Sequence, residues 1–284
     1  MKTVFNDITL QHKFENDGYV IIPSFLNGND LKSLLALFEK YQAEYTQPFH
    51  TSHFSENKTY KKNVSSILCA IVGKSAAAFT TAYKPVFGNF MIKLPNLRGF
   101  LQLHADWTYV DESTERSFAV WIPLVDINEK NGCLGVIETS HKIMNEIRGP
   151  GIQQNNFTND LEWVKDFGKL LPVNAGDAII YDHALLHFSN ANTTTKIRPA
   201  LNVSFVPDNT QMIHYCILEG RYEIEKYNVP DTEFFINYSN YQQPENGILV
   251  EKIPKDRIIF IDDKMKVFGR KKNLFYKLKK IFNL

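Results

Sequence analysis

A chain of 284 residues with 44% hydrophobic and 22% charged side chains has enough apolar material for a sizeable core, which excludes an intrinsically disordered protein. Cys69, Cys133 and Cys216 are odd in number and lack C-x-x-C spacing, which excludes a disulfide framework and a thiolate zinc site and points to a reducing compartment. The net charge of +1 divides into +8 from Lys264 onward and −7 before it, so basic character is confined to the tail and gives no case for nucleic-acid binding.

MKTVFNDITLQHKFENDGY lacks the apolar centre of a signal peptide, and no run approaches the ~18 apolar residues that span a bilayer. The expectation is a cytoplasmic protein. FENDGYVIIPSFL carries a strand-like VII, and in NGNDLKSLLALFEKYQAEY either Asn29 or Asp30 is placed to cap a helix. Its Leu31, Leu34, Leu35, Leu37 and Phe38 fall near helical spacing. A second helix is expected over roughly 64–82. From Gly88 onward the pattern changes to short apolar, β-branched and aromatic runs: NFMIKL, FLQLHAD, RSFAVWIPLV, CLGVIE, KLLPV, DAIIYD, LLHFSN and RPALNVSFV. Turn signals such as NEKNG and NAGD separate them, which predicts an antiparallel sandwich or barrel of the jelly-roll kind. The fold class is mainly β with flanking helices. No repeat or linker divides residues 1–263, read as one domain ahead of a basic segment, 264–284.

LQLHADWTYVDE places His104 and Asp106 two residues apart, and on a strand they would share one face. An imidazole and a carboxylate converging there suit a metal ion, while the plainer reading is a hydrogen-bonded core histidine. In DHALLHFSN, His183 and His187 stand four apart. A helical zinc motif would need Glu directly after the first His, and Ala184 stands there. His187 is therefore placed on a strand and His183 at the preceding turn, in a structural or ligand-orienting role. His104, Asp106 and His187 then form a 2-His-1-carboxylate set, which selects ferrous iron and leaves positions open for oxygen chemistry. Eleven residues beyond His187, Arg198 stands in the strand-like KIRPALNVSFVP, suited either to a surface ion pair or to bidentate binding of a carboxylate.

These segments together, from FENDGYVIIPSFLNGNDLKSL through HADW and WIPLVDINEKNGCLGVIETSHK to PVNAGDAIIYDHALLHFSNANTTTKIRPALNVSF, resemble the phytanoyl-CoA dioxygenase family of iron(II)/2-oxoglutarate oxygenases. The resemblance implies a double-stranded β-helix of the cupin-like, jelly-roll kind, with iron(II) held by His104, Asp106 and His187. It implies Arg198 pairing with the distal carboxylate of 2-oxoglutarate, and Trp121, Ser189 and Asn89 contacting that co-substrate. The implied reaction consumes O2, releases succinate and CO2, and hydroxylates an aliphatic C–H of a small-molecule, natural-product or acyl-type substrate. Asp106 fills the position that halogenating relatives leave vacant. Desaturation, cyclisation and epimerisation remain open, as do a cupin-like metalloenzyme without 2-oxoglutarate and a metal-stabilised binding protein without turnover. Candidate substrate contacts are Lys93, Trp107, Tyr109, His141 and Arg148. Two positions depart from the family pattern. Ala105 replaces the usual Gln between the ligands and is expected to point away from the metal. Glu138-Thr139 replaces Pro-Gly and is expected to reshape a loop near the substrate.

The tail KVFGRKKNLFYKLKKIFNL places Leu274, Phe275, Leu278, Ile281 and Phe282 on one helical face and Lys271, Lys272, Lys277, Lys279 and Lys280 on the other. It is expected either to pack on its own domain or to contact an anionic membrane surface or an acidic partner.

Overall fold

The computed structural model describes residues 3–95, 99–144, 147–152, 160–238, 241–254 and 269. The basic tail therefore lies outside the described residues, save Gly269, which is buried against Trp163 and Phe167. Among the described residues no helix is long and apolar enough to cross a membrane.

Asp7 opens α1 (Ile8–Asp17) by accepting from the amides of Thr9 and Leu10 at 2.7 and 2.9 Å. Gly18 closes it at φ +87°, and a Cβ there would lie 2.5 Å from His141 Nδ1, so glycine is required on both counts. After β1 (Tyr19–Ile22), α2 (Gly28–Lys40) is capped by Asn27, not by Asn29 or Asp30. The helix starts earlier than the apolar spacing indicates, and those two residues become its first turn, donating their amides to Asn27 Oδ1. β2 (Phe49–Thr51) leads to α3 (Lys58–Ala76), displaced six residues toward the N-terminus from expectation because Asn57 supplies the cap.

All eight strand candidates from Gly88 onward form strands. They are β3 (Tyr83–Lys93), β4 (Leu101–His104), β5 (Phe118–Pro123) and β6 (Leu134–Ile137), then, past α4 (Asp160–Phe167), β7 (Gly168–Leu171), β8 (Ala178–Asp182), β9 (His187–Ser189) and β10 (Arg198–Pro207). β11 (Ile213–Cys216), β12 (Glu223–Asn228), α5 (Glu233–Asn237) and β13 (Ile248–Pro254) follow. Every pairing among the described strands is antiparallel. A large sheet runs β1-β8-β5-β10-β3-β2, a smaller one β4-β9-β6-β7, and a third β11-β12-β13. The chain has the jelly-roll fold, mainly β with few helices.

The large sheet is covered on both faces, and the two-residue period of its strands divides their side chains between two cores. Phe90, Ile92, Phe118, Val120, Ile122, Ile180, Leu201 and Val203 point to α1, α2 and α3, packing with Phe14, Leu34, Phe38, Val64 and Leu68. The alternate residues Met91, Ala119, Trp121, Ile179, Tyr181 and Ala200 point inward and meet Leu134 and Val136 of the small sheet. By the same parity Asn89 and Lys93 of β3, and Arg198, Asn202 and Ser204 of β10, face inward with the apolar core.

Thr139 sits at φ +69°, in the left-handed region that disfavours β-branched residues. Its amide donates to the Asp17 carbonyl at 3.0 Å, and Glu138 accepts from the Tyr19 hydroxyl and from Lys169 at 2.9 and 2.7 Å. The Glu138-Thr139 departure thus fastens a turn against α1 and β1 and does not line the cavity described below. Relief of the left-handed strain outweighs the extra chain entropy of glycine, so Thr139→Gly is expected to raise the unfolding free energy by about 1 kcal/mol. A denaturant melt reads this directly, and an unchanged or lowered midpoint would show that the turn carries no strain.

Candidate active site

β4 and β9 pair so that His104 lies directly opposite His187, their ring centroids 4.1 Å apart. β4 ends at His104, and Asp106 enters from the loop beyond instead of from the strand face that its spacing suggested. Its Oδ1 lies 4.0 Å from His104 Nε2 and 3.7 Å from His187 Nε2, and one ligand atom from each residue falls within 4.8 Å of the others. The Nδ1 atoms are engaged elsewhere, His104 with the Gln102 carbonyl at 2.7 Å and His187 with the Leu185 carbonyl at 2.9 Å. Each Nδ1–H donating to a carbonyl fixes the tautomer that leaves the Nε2 lone pair free. Burial and the adjacent His187 hold His104 down to about 4. Burial pushes Asp106 up, but His187, His183, His104 and the Tyr181 hydroxyl together outweigh it and hold the carboxyl below its ordinary value. Free Nε2 lone pairs and an ionised carboxylate are what a divalent transition metal needs. The donor set fits a facial triad.

Two contacts fix the carboxylate. The Tyr181 hydroxyl of β8 donates to Asp106 Oδ2 at 3.0 Å, leaving Oδ1 toward the imidazoles. Arg148, fully buried, donates from Nε to the Asp106 carbonyl at 2.7 Å and from Nη1 to the Met144 carbonyl and Glu112 Oε2, both at 2.8 Å. Its Nη2 also bonds Glu112 Oε1. A guanidinium so engaged staples the loop from Asp106 to Glu112. His183, in the turn before β9, is held by Ser117 at 2.8 Å and Ser204 at 3.3 Å and stacks on Tyr109.

A second polar group lies at the start of β10. Arg198 is 2% exposed, donates from Nη1 to the Met91 carbonyl at 2.9 Å, and lies 5.7 Å from the centroid of the Trp121 ring. Its Nε has no hydrogen-bond partner, and no described carboxylate pairs with it. Burial pushes this guanidinium down to about 9. Lys93 stands opposite it in the β3–β10 register, donating to the Ser189 carbonyl at 3.0 Å and to that of Asn190, and burial together with Arg198 pushes it down to about 6. A buried guanidinium without an anion is costly, and a carboxylate-bearing ligand would offset that cost.

His104 and Asp106 of the triad border a cavity of about 700 Å³ lined in part by Asn89, Ala105, Trp107, Tyr109, Asn202 and Ser204. Asn89 donates to Thr51 Oγ1 at 2.8 Å. Of the candidate substrate contacts, Trp107 and Tyr109 reach the cavity, whereas Lys93, His141 and Arg148 are not among its lining residues. Lys93 stands beside Arg198, Arg148 is tied to Glu112, and His141 bonds the Glu15 carbonyl of α1 at 3.1 Å. Sequence reasoning missed His53, Tyr181, Asn202 and Ser204. Asn202 and Ser204 were readable from parity, because with Arg198 they place polar groups at even positions of an apolar strand. Tyr181 reads as an ordinary core aromatic, and His53 lies in a short turn without periodicity.

Deleting the hydroxyl at Tyr181 frees Asp106 to rotate. Tyr181→Phe is expected to fold and to bind Fe(II) about tenfold more weakly, the range for lost hydrogen bonds to metal ligands. Anaerobic competition titration against a chelator checks this, and an affinity within twofold of the parent would show that Tyr181 does not position the carboxylate.

Comparison with known proteins agrees with this geometry. Residues 14–200 match the family model Phytanoyl-CoA dioxygenase (PhyH). The chain is 23% identical over 209 residues to phytanoyl-CoA dioxygenase domain-containing protein 1 homolog of Dictyostelium discoideum, covering 70% of this chain and 66% of the relative. It is 25% identical over 154 residues to the Caenorhabditis elegans homolog, covering 50% and 52%. The chain therefore spans about two thirds and about half of these relatives. The epimerase SnoN, solved with Fe3+, α-ketoglutarate and nogalamycin RO, superposes with TM-score 0.53 at 16% identity over 87% of this chain and 94% of that one. The carbocyclase SnoK from nogalamycin biosynthesis gives 0.51 at 19% over 72% and 86%. HygX of Streptomyces hygroscopicus, with nickel and 2-oxoglutarate bound, gives 0.50 at 14% over 72% and 88%. At such identities these structures share the fold. The family match spans well over half of the sequence, and the chain belongs to the phytanoyl-CoA dioxygenase family.

Proposed function

We propose that this chain is an iron(II)- and 2-oxoglutarate-dependent dioxygenase that hydroxylates an aliphatic C–H bond of a small molecule. The observation that carries the proposal is the pairing of a His104, Asp106 and His187 donor set with a buried, carboxylate-free Arg198. SnoN and HygX, which share the fold, hold a metal ion and the same keto acid. Iron held by the three ligands would supply oxygen activation coupled to decarboxylation of 2-oxoglutarate to succinate. The residues of the chain do the rest. Arg198 binds the distal carboxylate, and Trp121 and Ser189 close the sides of that pocket. Asp106, ionised and fixed by Tyr181, occupies the position a halide would need, which favours hydroxyl return over halogenation. Trp107 and Tyr109 form part of the wall that presents the substrate C–H bond.

Arg198 also argues against a cupin-like enzyme without 2-oxoglutarate and against a passive binding protein, since neither would offset the cost of burying it. The epimerase and carbocyclase among the structural neighbours keep hydrogen abstraction followed by epimerisation or ring closure as the second reading. Residues 1–263 are proposed to form the catalytic unit. The odd cysteine count without C-x-x-C spacing is the basis for proposing a reducing, cytoplasmic setting.

The test is succinate release by purified protein given Fe(II), 2-oxoglutarate and O2. His104→Ala, Asp106→Ala and His187→Ala are each expected to abolish it. Wild-type succinate release by all three would refute the triad. Arg198→Ala is expected to raise the 2-oxoglutarate requirement at least about tenfold, because a charge-assisted bidentate contact contributes about 1.5–3 kcal/mol, with Arg198→Lys recovering part. An unchanged requirement would favour the enzyme that does not use 2-oxoglutarate.

A further inference from the structure

The cavity beside the triad has the size that small molecules fill, about 700 Å³, and part of its wall is aromatic. Phe49, Phe54, Phe87, Phe100, Trp107 and Tyr109 line it, with Phe54 and Phe100 more than half exposed. Among the described residues no lysine or arginine does so. Lys61 approaches from behind the wall, but its ammonium donates to the Tyr238 carbonyl at 3.4 Å and is not part of the lining. An anionic group entering among these rings would shed its hydration with no described lysine or arginine to replace it.

His53 is the polar ring set among those aromatics, while Thr51, Asn89, Gln102, Asn202 and Ser204 line other parts of the cavity. It follows β2 in a short 3-10 turn, is only 9% exposed, and lines the cavity. Phe54, Phe87 and Trp107 meet its ring edge-to-face at centroid distances of 4.9, 4.9 and 4.8 Å, so the imidazole is held in place. Its Nδ1 is buried without a hydrogen-bond partner. Burial first, then Lys61 and His214, hold the ring down to about 3, which keeps it neutral with one donor and one acceptor. Buried polar atoms in folded proteins are nearly always paired, and an unpaired nitrogen in a cavity-lining ring leaves hydrogen-bonding capacity for a ligand group.

We propose that the cavity takes an uncharged, ring-bearing substrate whose ring lies against the aromatic wall and whose hydroxyl or carbonyl group hydrogen-bonds to His53. The proposal rests on reading the site as a small-molecule oxygenase and adds the substrate class. It makes His53 a residue that determines specificity, and it keeps carboxylate or phosphate-bearing carriers out of the aromatic part of the cavity.

Equilibrium dialysis of the full chain against 2-naphthol, 2-naphthoate and naphthalene tests it, first metal-free and then with nickel(II) and 2-oxoglutarate added. The expected result is saturable binding of 2-naphthol, at least about tenfold tighter than 2-naphthoate and about three- to tenfold tighter than naphthalene, the range for one neutral hydrogen bond. His53→Phe should erase the preference over naphthalene while keeping naphthalene bound, and His53→Asn should restore part of it. Should His53→Phe fail to give a cooperative melt, His53→Leu supplies the same comparison. Absence of saturable 2-naphthol binding, equal or tighter binding of 2-naphthoate in the nickel and 2-oxoglutarate arm, or a preference that survives loss of the imidazole would each overturn the proposal. The metal-free arm stands without 2-oxoglutarate chemistry, so a failed oxygenase reading would leave the naphthol preference intact.

Discussion

β10 is buried along its whole length, and a strand in that position can carry polar side chains only where the interior has a use for them. Its odd-numbered residues Leu201, Val203 and Phe205 face the helices and are apolar throughout. Its even-numbered face carries Arg198, Ala200, Asn202 and Ser204 into the space between the sheets. No apolar core gains from a guanidinium and an amide there, and Asn202 Oδ1 is itself unpaired. Lys93 and Asn89 on the neighbouring β3 repeat the pattern in register, Lys93 opposite Arg198 and Asn89 opposite Asn202. The inner face of two central strands is thus a polar track in an apolar layer, running from the Arg198 end to the cavity.

The metal ligands lie across from that track on the other sheet and its outgoing loop, so the site depends on how the two sheets are held together. Tyr181 links them directly, reaching from β8 in the large sheet to the carboxylate beyond β4 in the small one. Arg148 does the same for the backbone, its buried pairing with Glu112 drawing the loop taut around Asp106. Removing one partner of such a pair strands the other charge, so this staple is intolerant of change although it touches neither cavity nor ligand atoms.

Much of this was legible in the sequence because polar residues in apolar strands are conspicuous. His104, His187 and Arg198 announce themselves against LQL, ALL and PALNVSF, and the strand periodicity from Gly88 onward follows from burial on one or both faces. Helix starts were less legible: Asn27 outcompetes the later candidates Asn29 and Asp30, Asn57 starts α3 six residues before the expected start, and hydrophobic spacing alone does not mark where a helix begins. The placement of Asp106 in a loop depends on where the β4–β9 ladder becomes irregular, between Leu101 and His104, which no local pattern encodes. Arg148 looked like a ligand contact because Glu112, its partner, lies far away in sequence. His53 and Tyr181 act through tertiary neighbours and carry no signal in their own segments.

The central claim is that one pocket holds a metal at His104, Asp106 and His187 and a keto acid anchored at Arg198. Anaerobic addition of 2-oxoglutarate to Fe(II)-loaded protein tests both halves at once, since bidentate chelation through the keto and carboxylate oxygens gives a visible metal-to-ligand charge-transfer band. The account predicts that the band appears and saturates at about one equivalent per chain, the triad having open positions for a chelate. A protein that binds Fe(II) yet shows no band at any concentration of 2-oxoglutarate would contradict it.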